Sequence, residues 1–406
     1  MRKINVRDFR LATRTTSREI NRQIVLNLVR EHQPISRADL ARRMNIGRGR
    51  VTSLVNELLE DGSVLEGDTV DAPRGRKPKM LYVRTGDRLV VAIDVRFSRT
   101  YVMLSDFAGT QIALETFKTE LDPGRLTEEL ASRVQRLLAT YGDAGRCEGV
   151  GLVVPGMVDQ KTGRVLNAPQ LGWLDVALRD PLAAATGLPV FMENAPIACA
   201  LAQMWMGQRG GDATSDFAYV SVFDGVGAGV VVNGQIVRGA GHTAGEFGHI
   251  PLYPDGPRCL CGARGCLEAH TSNLATLARY FGVELSAPGT RPMLAESGVT
   301  VPELITRART GDAPARSALE DTGRYLGLGL AMIVNALNPA RIFVGGEITG
   351  AWDLIEPHVR AEIAERALTR TAAQTPIIPD LTTSNPRLRG ATALVAAPVF
   401  AAPQVA

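Results

Sequence analysis

Soft metal ligands are concentrated in one short stretch of the sequence. It holds three of the five cysteines and a nearby histidine, namely His249, Cys259, Cys261 and Cys266. Three thiolates and one imidazole complete a tetrahedral shell for Zn²⁺, and a shell of four protein ligands with no open position is structural rather than catalytic. The alternative is a surface loop that carries these residues by chance. The residue types therefore predict a structural zinc site in a small knuckle.

The charge of the chain is unevenly distributed. The 406 residues are 45% hydrophobic and 21% charged, which is typical of a globular protein long enough for two or three domains. Residues 1–85 carry 18 Lys and Arg against 10 Asp and Glu, whereas the remainder carries 27 against 32. A basic head on an acidic body favours a nucleic-acid-binding domain joined to an effector or enzyme domain. A solvated basic face without a partner is the alternative.

The sequence lacks the signals of membrane insertion and secretion. No apolar run approaches the ~20 residues of a spanning helix, and the arginine-rich start lacks the apolar centre of a signal peptide. Clustered cysteines in a reducing compartment favour a metal over disulfides. The remaining cysteines, Cys147 and Cys199, lie among apolar residues and are interpreted as buried small side chains. We therefore expect a cytoplasmic protein with no membrane partner.

Residues 18–85 are predicted to form a winged helix-turn-helix domain, preceded by a flexible N-terminus at residues 1–17. Apolar residues repeat at helical spacing, and Ser36 with Asp39 has the pattern of a capping box at the start of a second helix. A break at residues 45–47 precedes a third helix. Two short helices joined by a glycine-containing turn place the second one in the major groove of DNA. A three-helix bundle that does not bind DNA is the alternative.

Polar side chains early in the third helix are predicted to contact DNA. Arginine pairs bidentately with guanine and asparagine with adenine, whereas serine and threonine more often bind phosphates. Short strands near residues 63–66 and 80–83 flank a basic loop, which is either a wing that enters the narrow minor groove or only an interdomain linker. The predicted DNA contacts are Arg37, Arg48, Arg50, Thr52, Ser53 and Asn56 in the helices and Arg74, Arg76 and Lys77 in the loop.

The body that follows has an α/β pattern that occurs twice. Three strands, a helix and a further strand are predicted between residues 89 and 154, and a second set begins at residue 219. This order fits the two lobes of an actin-like fold, with a ligand between them. We assign residues 88–198 and 390–406 to the first lobe and residues 199–389 to the second.

Three local signals refine the body. Asn233-Gly234 is a strong signal for a two-residue hairpin turn. The glycine-rich segment Asp224–Gly229 either brings backbone N–H groups close to a phosphate or is only a turn. A last alanine-rich helix is predicted from residue 390 to residue 397, where Pro398 would stop it.

The metal-ligand motif and its neighbours resemble the ROK family, which unites bacterial sugar kinases with sugar-responsive repressors. The signature runs from His249 through Cys259–Glu268. Further family motifs occur in the family's order, at Pro155-Gly156, Glu193-Asn194, Gly227-Ala228-Gly229, Gly245-Glu246 and Val344-Gly345-Gly346. The resemblance covers roughly residues 88–400, and the winged head resembles the repressor branch, which includes the xylose and N-acetylglucosamine repressors.

The resemblance implies a sugar pocket between the two lobes. Carboxylates and amides suit the adjacent hydroxyls of a sugar, and the zinc knuckle would fix the pocket side chains from behind. Gln170 stands where the kinases usually carry asparagine, so it matches less well. Solvated surface carboxylates are the alternative for the two glutamates. The implied sugar partners are Asn194, Glu246, His249, Glu268 and Gln170.

The chain departs from the kinase pattern where phosphoryl transfer needs it. The first phosphate loop of the kinases follows Asp-x-Gly-Gly-Thr, whereas Asp94–Ser98 has bulky side chains in place of the glycines. The aspartate that accepts the proton of the sugar hydroxyl is replaced by Ala195. Phe223-Asp224 stands where the second phosphate loop has small and hydroxyl residues, and its carboxylate would repel phosphate.

The sequence therefore predicts a sugar-responsive transcriptional regulator rather than an enzyme. It would repress carbohydrate-metabolism genes and bind a sugar or sugar derivative without phosphorylating it. A homodimer or tetramer on a double-stranded operator is expected, because a helix-turn-helix dimer reads two half-sites. The alternatives are an active ATP-dependent sugar kinase with a DNA-binding head, and a zinc- or redox-responsive regulator without a sugar ligand.

Overall fold

The computed structural model describes residues 14–69, 78–206, 216–381 and 385–401. A small N-terminal head precedes a body built on two five-stranded sheets. The predicted fold class, a winged helix-turn-helix followed by a two-lobed actin-like α/β body, is confirmed. Among the helices of the described residues, none is long and apolar enough to cross a membrane.

The head has the predicted three helices and a small sheet. Ser36 Oγ accepts a hydrogen bond from the backbone N–H of Asp39, and the Asp39 carboxylate accepts one from the backbone N–H of Ser36, so the capping box is confirmed. The first helix starts four residues earlier than expected, so residues 14–17 are helical rather than flexible. Residues 70–77, with most of the predicted basic wing, lie outside the described residues. The elements are α1 Arg14–His32, β1 Ile35–Ser36, α2 Arg37–Met44, α3 Arg48–Glu60, β2 Val64–Thr69 and β3 Lys79–Val83.

The first sheet of the body has the order β11-β7-β4-β5-β6. Strands β4, β7 and β11 are parallel, and β4, β5 and β6 form an antiparallel meander. Strands β8 to β10 form a separate small sheet. The elements are β4 Arg88–Val95, β5 Arg99–Asp106, β6 Gln111–Lys118, α4 Pro123–Tyr141, β7 Arg146–Val154, β8 Met157–Asp159, β9 Arg164–Ala168, β10 Trp173–Ala177, α5 Arg179–Thr186 and β11 Val190–Asn194.

The second sheet has the order β14-β13-β12-β15-β16 and repeats the topology of the first, with three parallel strands and an antiparallel meander. Asn233 and Gly234 both have positive φ, as the predicted hairpin turn requires. The elements are α6 Ala195–Met206, β12 Phe217–Val222, β13 Val226–Val232, β14 Gln235–Ile236, α7 Leu267–Thr271, α8 Asn273–Phe281, α9 Thr290–Glu296, α10 Val301–Arg309, α11 Ala313–Leu337, β15 Arg341–Gly346, α12 Trp352–Arg366, α13 Arg370–Ala373, β16 Ile377–Asp380 and α14 Pro386–Phe400.

Helices α6 and α14 lie between the two sheets. Leu388 of α14 packs with Ala92 and Val153 of the first sheet, while Cys199 of α6 packs with Tyr219 of the second. Helix α14 thus starts before residue 390 and, contrary to expectation, continues through Pro398. The missing N–H of a proline costs only one bond in the last turn. The lobe division at residue 199 stays a prediction, because α6 contacts both sheets.

The glycine-rich segment serves helix packing. Gly227 and Gly229 lie within β13 rather than in a loop. A Cβ at Gly229 would stand 2.4 Å from the carbonyl oxygen of Pro196, and one at Gly227 would stand 2.8 Å from its ring. These glycines let α6 approach the strand, so the expectation of a phosphate-cradling loop or a simple turn is wrong for them.

Candidate functional site

A cleft with an empty volume of about 800 Å³ lies where α6 and α14 begin. Its walls come from the ends of β11, β12 and β4 and from the segment that carries the metal-ligand motif. The structure places all five predicted sugar partners on this cleft: Gln170, Asn194, Glu246, His249 and Glu268. Residues from both halves of the body thus meet at one cavity.

The amide side chains on the cleft come from the half of the body that contains the first sheet. Asn194 is the last residue of β11, and its Oδ1 accepts a hydrogen bond from the backbone N–H of Ile197 at 3.1 Å. This bond fixes Asn194 to the start of α6. Gln170 reaches across the cleft to Gly225, where an added Cβ would stand 2.3 Å from its Nε2. The two halves of the body therefore touch at the cleft.

Glu268 is a buried carboxylate in the first turn of α7. It is 8% exposed, and its Oε2 accepts a hydrogen bond from the backbone N–H of Val226 at 2.9 Å. The alternative of a solvated surface carboxylate is therefore wrong for this residue. Glu246 is half-buried. Burial raises the pKa of Glu246, the nearby imidazole of His249 opposes the rise, and Glu268 adds to it.

The predicted metal ligands meet beside the cleft. One ligand atom from each of His249, Cys259, Cys261 and Cys266 lies within 4.8 Å of the others. The Sγ atoms of Cys261 and Cys266 are 3.7 Å apart, which is too far for the ~2.0 Å of a disulfide. Burial raises the pKa of the Cys266 thiol to about 11. A bound cation would reverse this shift, because it favours thiolates. The cluster can hold a metal ion.

His249 faces the metal cluster on one side and the cleft on the other. Its Nδ1 is 3.7 Å from Cys259 Sγ, whereas its Nε2 is 3.9 Å from Glu246 Oε2. A metal on Nδ1 would leave Nε2 for a ligand hydroxyl. The loop closes tightly at Gly265, where φ is 68° and a Cβ would stand 1.6 Å from the carbonyl oxygen of Tyr253. Only glycine fits there, which explains part of the motif.

Arginine side chains occupy the end of the cleft next to the altered phosphate loop. Asp94 is fully buried and forms ion pairs with Arg96 and Arg387, each at 2.7 Å. The Arg96 guanidinium also lies 4.5 Å from the ring centroid of Tyr101. The sequence reasoning did not identify Arg387, although two arginines, Arg387 and Arg389, at the start of an otherwise apolar helix were a usable signal. Bulky side chains and their internal ion pairs thus fill this end of the cleft.

Two further residues that the sequence singles out also lie on the cleft. Ala195 lines the cleft as the first residue of α6 and carries no proton acceptor. Asp224 lines it from the opposite half. Burial raises the pKa of Glu347 nearby, Asp224 adds to this rise, and Arg96 and Arg387 oppose it. Acidic groups and arginines thus face each other at this end of the cleft.

A buried ion pair that the sequence reasoning also missed joins the halves of the body beside Asn194. Glu193 is 1% exposed and pairs with Arg238, and Gln160 Nε2 donates to its Oε2 at 2.6 Å. Burial raises the pKa of Glu193, and Arg238 opposes this. Arg238 lies on the segment that leads to Glu246, so the pair holds two cleft-lining segments together.

The predicted DNA-contacting side chains differ in their availability. Arg37 forms an ion pair with Glu66, and its Nη2 lies 3.4 Å from Asn56 Oδ1, so part of its bonding capacity is used within the head. Arg74, Arg76 and Lys77 lie outside the described residues. The remaining predicted contacts are exposed on α3: Arg48, Arg50, Thr52, Ser53 and Asn56. An exposed polar row on the third helix suits a helix placed in a major groove.

Comparison with known proteins identifies the family. The sequence model of the ROK family matches residues 90–397. The chain belongs to the ROK family. It is 29% identical over 362 residues to the xylose repressor of Caldicellulosiruptor bescii, with 88% of this chain and 90% of the relative covered. The N-acetylglucosamine repressor of Escherichia coli O6:H1 is 28% identical over 368 residues, with 89% and 88% covered.

Enzymes of the family are also similar to the body. The glucokinase of Halalkalibacterium halodurans is 32% identical over 293 residues, which is 70% of this chain and 88% of the relative. The crystal structure of a ROK family transcriptional regulator, a homologue of the E. coli Mlc protein, superimposes with a TM-score of 0.78 at 26% identity and covers 95% of this chain and 97% of its own. The match to that regulator thus includes the head.

Proposed function

We propose that this protein is a sugar-responsive DNA-binding transcriptional regulator that represses carbohydrate-metabolism genes. The observation that carries the proposal is the composition of the cleft. Hydroxyl-binding groups such as Asn194, Glu246 and Glu268 line it, whereas Ala195 stands where the kinases have their base. Similarity to named repressors over nearly the whole chain, head included, supports a role on DNA.

Sugar binding without phosphoryl transfer follows from the two damaged requirements of the kinase reaction. Alanine cannot accept the proton of a sugar hydroxyl at the position of Ala195. The Arg96 and Arg387 side chains and their shared partner Asp94 fill the place of the first glycine loop. An active sugar kinase remains the second candidate, because a glucokinase is similar to 70% of this chain.

We assign Zn²⁺ to the Cys3His cluster as a structural ion. The residues fit this metal, since one nitrogen and three sulfur ligands converge and all are protein-derived. The ion would neutralise the thiolates. It would also fix His249 and the loop that leads from Cys259 to Glu268. This places the metal in support of the cleft rather than in a reaction.

A regulator of this kind works as a homodimer or a tetramer in the cytoplasm, where its operator is. Paired heads would read two half-sites about one DNA turn apart, and a sugar in the cleft would change their spacing. For the sugar to change DNA affinity in this way, the free energy that couples sugar binding to DNA binding must be on the order of 1 to 3 kcal/mol.

The function is tested by two linked measurements on the full-length protein. A thermal-shift screen would use D-xylose, D-glucose, N-acetyl-D-glucosamine and their phosphate esters. DNA sites would be selected by the protein from a random pool and mapped against the genes that neighbour its own. A sugar that raises the midpoint of unfolding and alters DNA affinity is expected. If zinc chelation or mild oxidation releases DNA and no sugar has any effect, the zinc- or redox-responsive alternative replaces the proposal.

Replacing Arg50 by alanine is expected to weaken specific DNA binding. The side chain is exposed near the start of α3. Loss of one bidentate contact to guanine costs about 1 to 3 kcal/mol and relaxes base choice at that position. Fluorescence anisotropy with the selected site and single-base variants measures both effects. Arg125→Ala, an exposed change on α4 of the body, is the matched control. Equal weakening on all DNA sequences would reassign Arg50 to a phosphate contact.

A further inference from the structure

Helices α6 and α14 connect the cleft to the DNA-binding head. Ala195 and Arg387, in their first turns, line the cleft. Trp205 and Phe400, at their last turns, contact the head. The helices have 12 and 15 residues, which at 1.5 Å per residue correspond to about 18 and about 22 Å. Both helices therefore run in the same direction from the sugar-binding region to α1.

The two helices are packed too closely to move independently. A Cβ at Gly390 of α14 would stand 2.7 Å from the backbone carbon of Ala198 in α6. On the other side of α14, a Cβ at Gly151 of β7 would stand 1.8 Å from the carbonyl oxygen of Ala391. Backbone-to-backbone contacts of this kind transmit a displacement rather than absorb it.

One arginine of the head binds the far ends of both helices. The Arg30 guanidinium lies 4.7 Å from the ring centroid of Trp205 and 5.1 Å from that of Phe400. The two rings are stacked, with centroids 6.2 Å apart. Arg30 Nη1 also donates to the backbone carbonyl of Trp205 at 3.1 Å, which satisfies one of the last carbonyls of α6.

Two amide side chains of α1, the helix that carries Arg30, bind the C-terminal end of α14. Gln23 Nε2 donates to the carbonyl of Val399 at 2.5 Å, and Asn27 Nδ2 donates to the carbonyl of Phe400 at 2.9 Å. Helix α1 also packs against α3, the helix with the predicted DNA contacts. The head is therefore bound by polar contacts to the C-terminal ends of α6 and α14. The N-terminal ends of the same two helices line the cleft.

We infer that Arg30 is a positioning residue that couples occupancy of the cleft to the orientation of the head. The inference rests on the proposed sugar response and names its structural route. A ligand that draws on Asn194, which is bonded to the start of α6, displaces α6 and α14 together. Because Arg30 holds both helix ends, α1 and the attached α3 follow. Coupling of this kind requires an element with two arrangements that both sites bias, and we assign that role to the pair of helices.

The test compares Arg30→Met with Arg18→Met in the full-length protein. Both substitutions remove an arginine from α1, but Arg18 is largely exposed and pairs with Glu57 inside the head. For each variant, calorimetry measures the affinity for whichever probe gives the largest thermal shift among D-xylose, D-glucose and N-acetyl-D-glucosamine. Anisotropy measures the affinity for the selected DNA site with and without that sugar.

Arg30→Met should leave the separate affinities for sugar and for DNA within about threefold of wild type. It should reduce the sugar-induced change in DNA affinity from the 5- to 150-fold range of typical coupling to under about threefold. Arg18→Met should keep the wild-type change. Arg30→Lys, which retains the charge but not the planar stacking group, should give an intermediate change.

Full coupling in Arg30→Met would overturn the inference. Loss of DNA binding by both Arg30 variants would overturn it as well, because Arg30 would then be needed for the structure of the head. Failure of the proposed function gives a different result. In that case the wild-type protein itself would show no change in DNA affinity with any of the sugars.

Discussion

Replacing Cys266 by serine should prevent binding of the proposed Zn²⁺ and abolish sugar binding. Cys266 is fully buried, and it precedes α7, which carries Glu268. With the ion lost, His249 and Glu268 are no longer held at the cleft. At free Zn²⁺ a hundred times its Kd, the wild-type protein should gain about 2.7 kcal/mol of stability over the metal-free form. Metal analysis, calorimetry with the sugar probes and thermal unfolding with and without a chelator measure these effects.

Cys147→Ser is the matched control for this loss, because Cys147 lies outside the cluster and is half-buried on β7. It should retain one equivalent of zinc and wild-type sugar affinity. DNA binding in the absence of sugar should survive in Cys266→Ser, since the core that holds the head includes Phe107 and Phe400 of the body but no residue of the cysteine cluster. A Cys266→Ser protein that still binds sugar with wild-type affinity would refute the supporting role of the metal.

Glu268→Gln should lower sugar affinity by about tenfold to a hundredfold while DNA binding is unchanged. The amide has the shape of the carboxylate and can still accept the hydrogen bond from the Val226 N–H. It loses the charge, and a hydrogen bond to a charged group contributes about 1.5 to 3 kcal/mol. Calorimetry with the responsive sugar measures the loss, and DNA release should shift to correspondingly higher sugar concentration.

Two controls define the origin of that loss. Glu365→Gln, an exposed change near the end of α12, should bind sugar as the wild type does. Because Glu268 Oε1 lies 3.4 Å from Cys259 Sγ, the zinc content of Glu268→Gln must also be measured. A reduced zinc content would show that the substitution acts through the Cys3His cluster. Unchanged sugar affinity at full zinc content would show that Glu268 does not bind the sugar.

Much of the fold follows from local signals. The capping box at Ser36 and Asp39 and the turn at Asn233-Gly234 depend on neighbours in sequence, and each appears where predicted. The sequence motif also places the four potential metal ligands together, because they are held within one short loop. The central strands β4 and β12 were similarly readable, since both are buried along nearly continuous apolar runs.

Interactions between distant segments were not predicted. The pairing of Arg387 with Asp94 joins residues almost 300 positions apart, and the Glu193 pair with Arg238 joins β11 of the first sheet to the segment that follows β14. No local periodicity reports such contacts. The glycines of β13 were misread for the same reason, because the partner that needs their small size, Pro196, belongs to another element.

Sugar sensing without phosphoryl transfer is tested most directly by incubating the protein with ATP, Mg²⁺ and the responsive sugar. Operator affinity is followed by anisotropy, and the recovered sugar is analysed by mass spectrometry. The structure, with Ala195 at the base position and the Arg96 to Asp94 ion pair at the phosphate end, predicts unmodified sugar. It also predicts a change of about fivefold or more in operator affinity that needs no ATP. Catalytic accumulation of sugar phosphate, or operator affinity that does not respond to sugar, would contradict it.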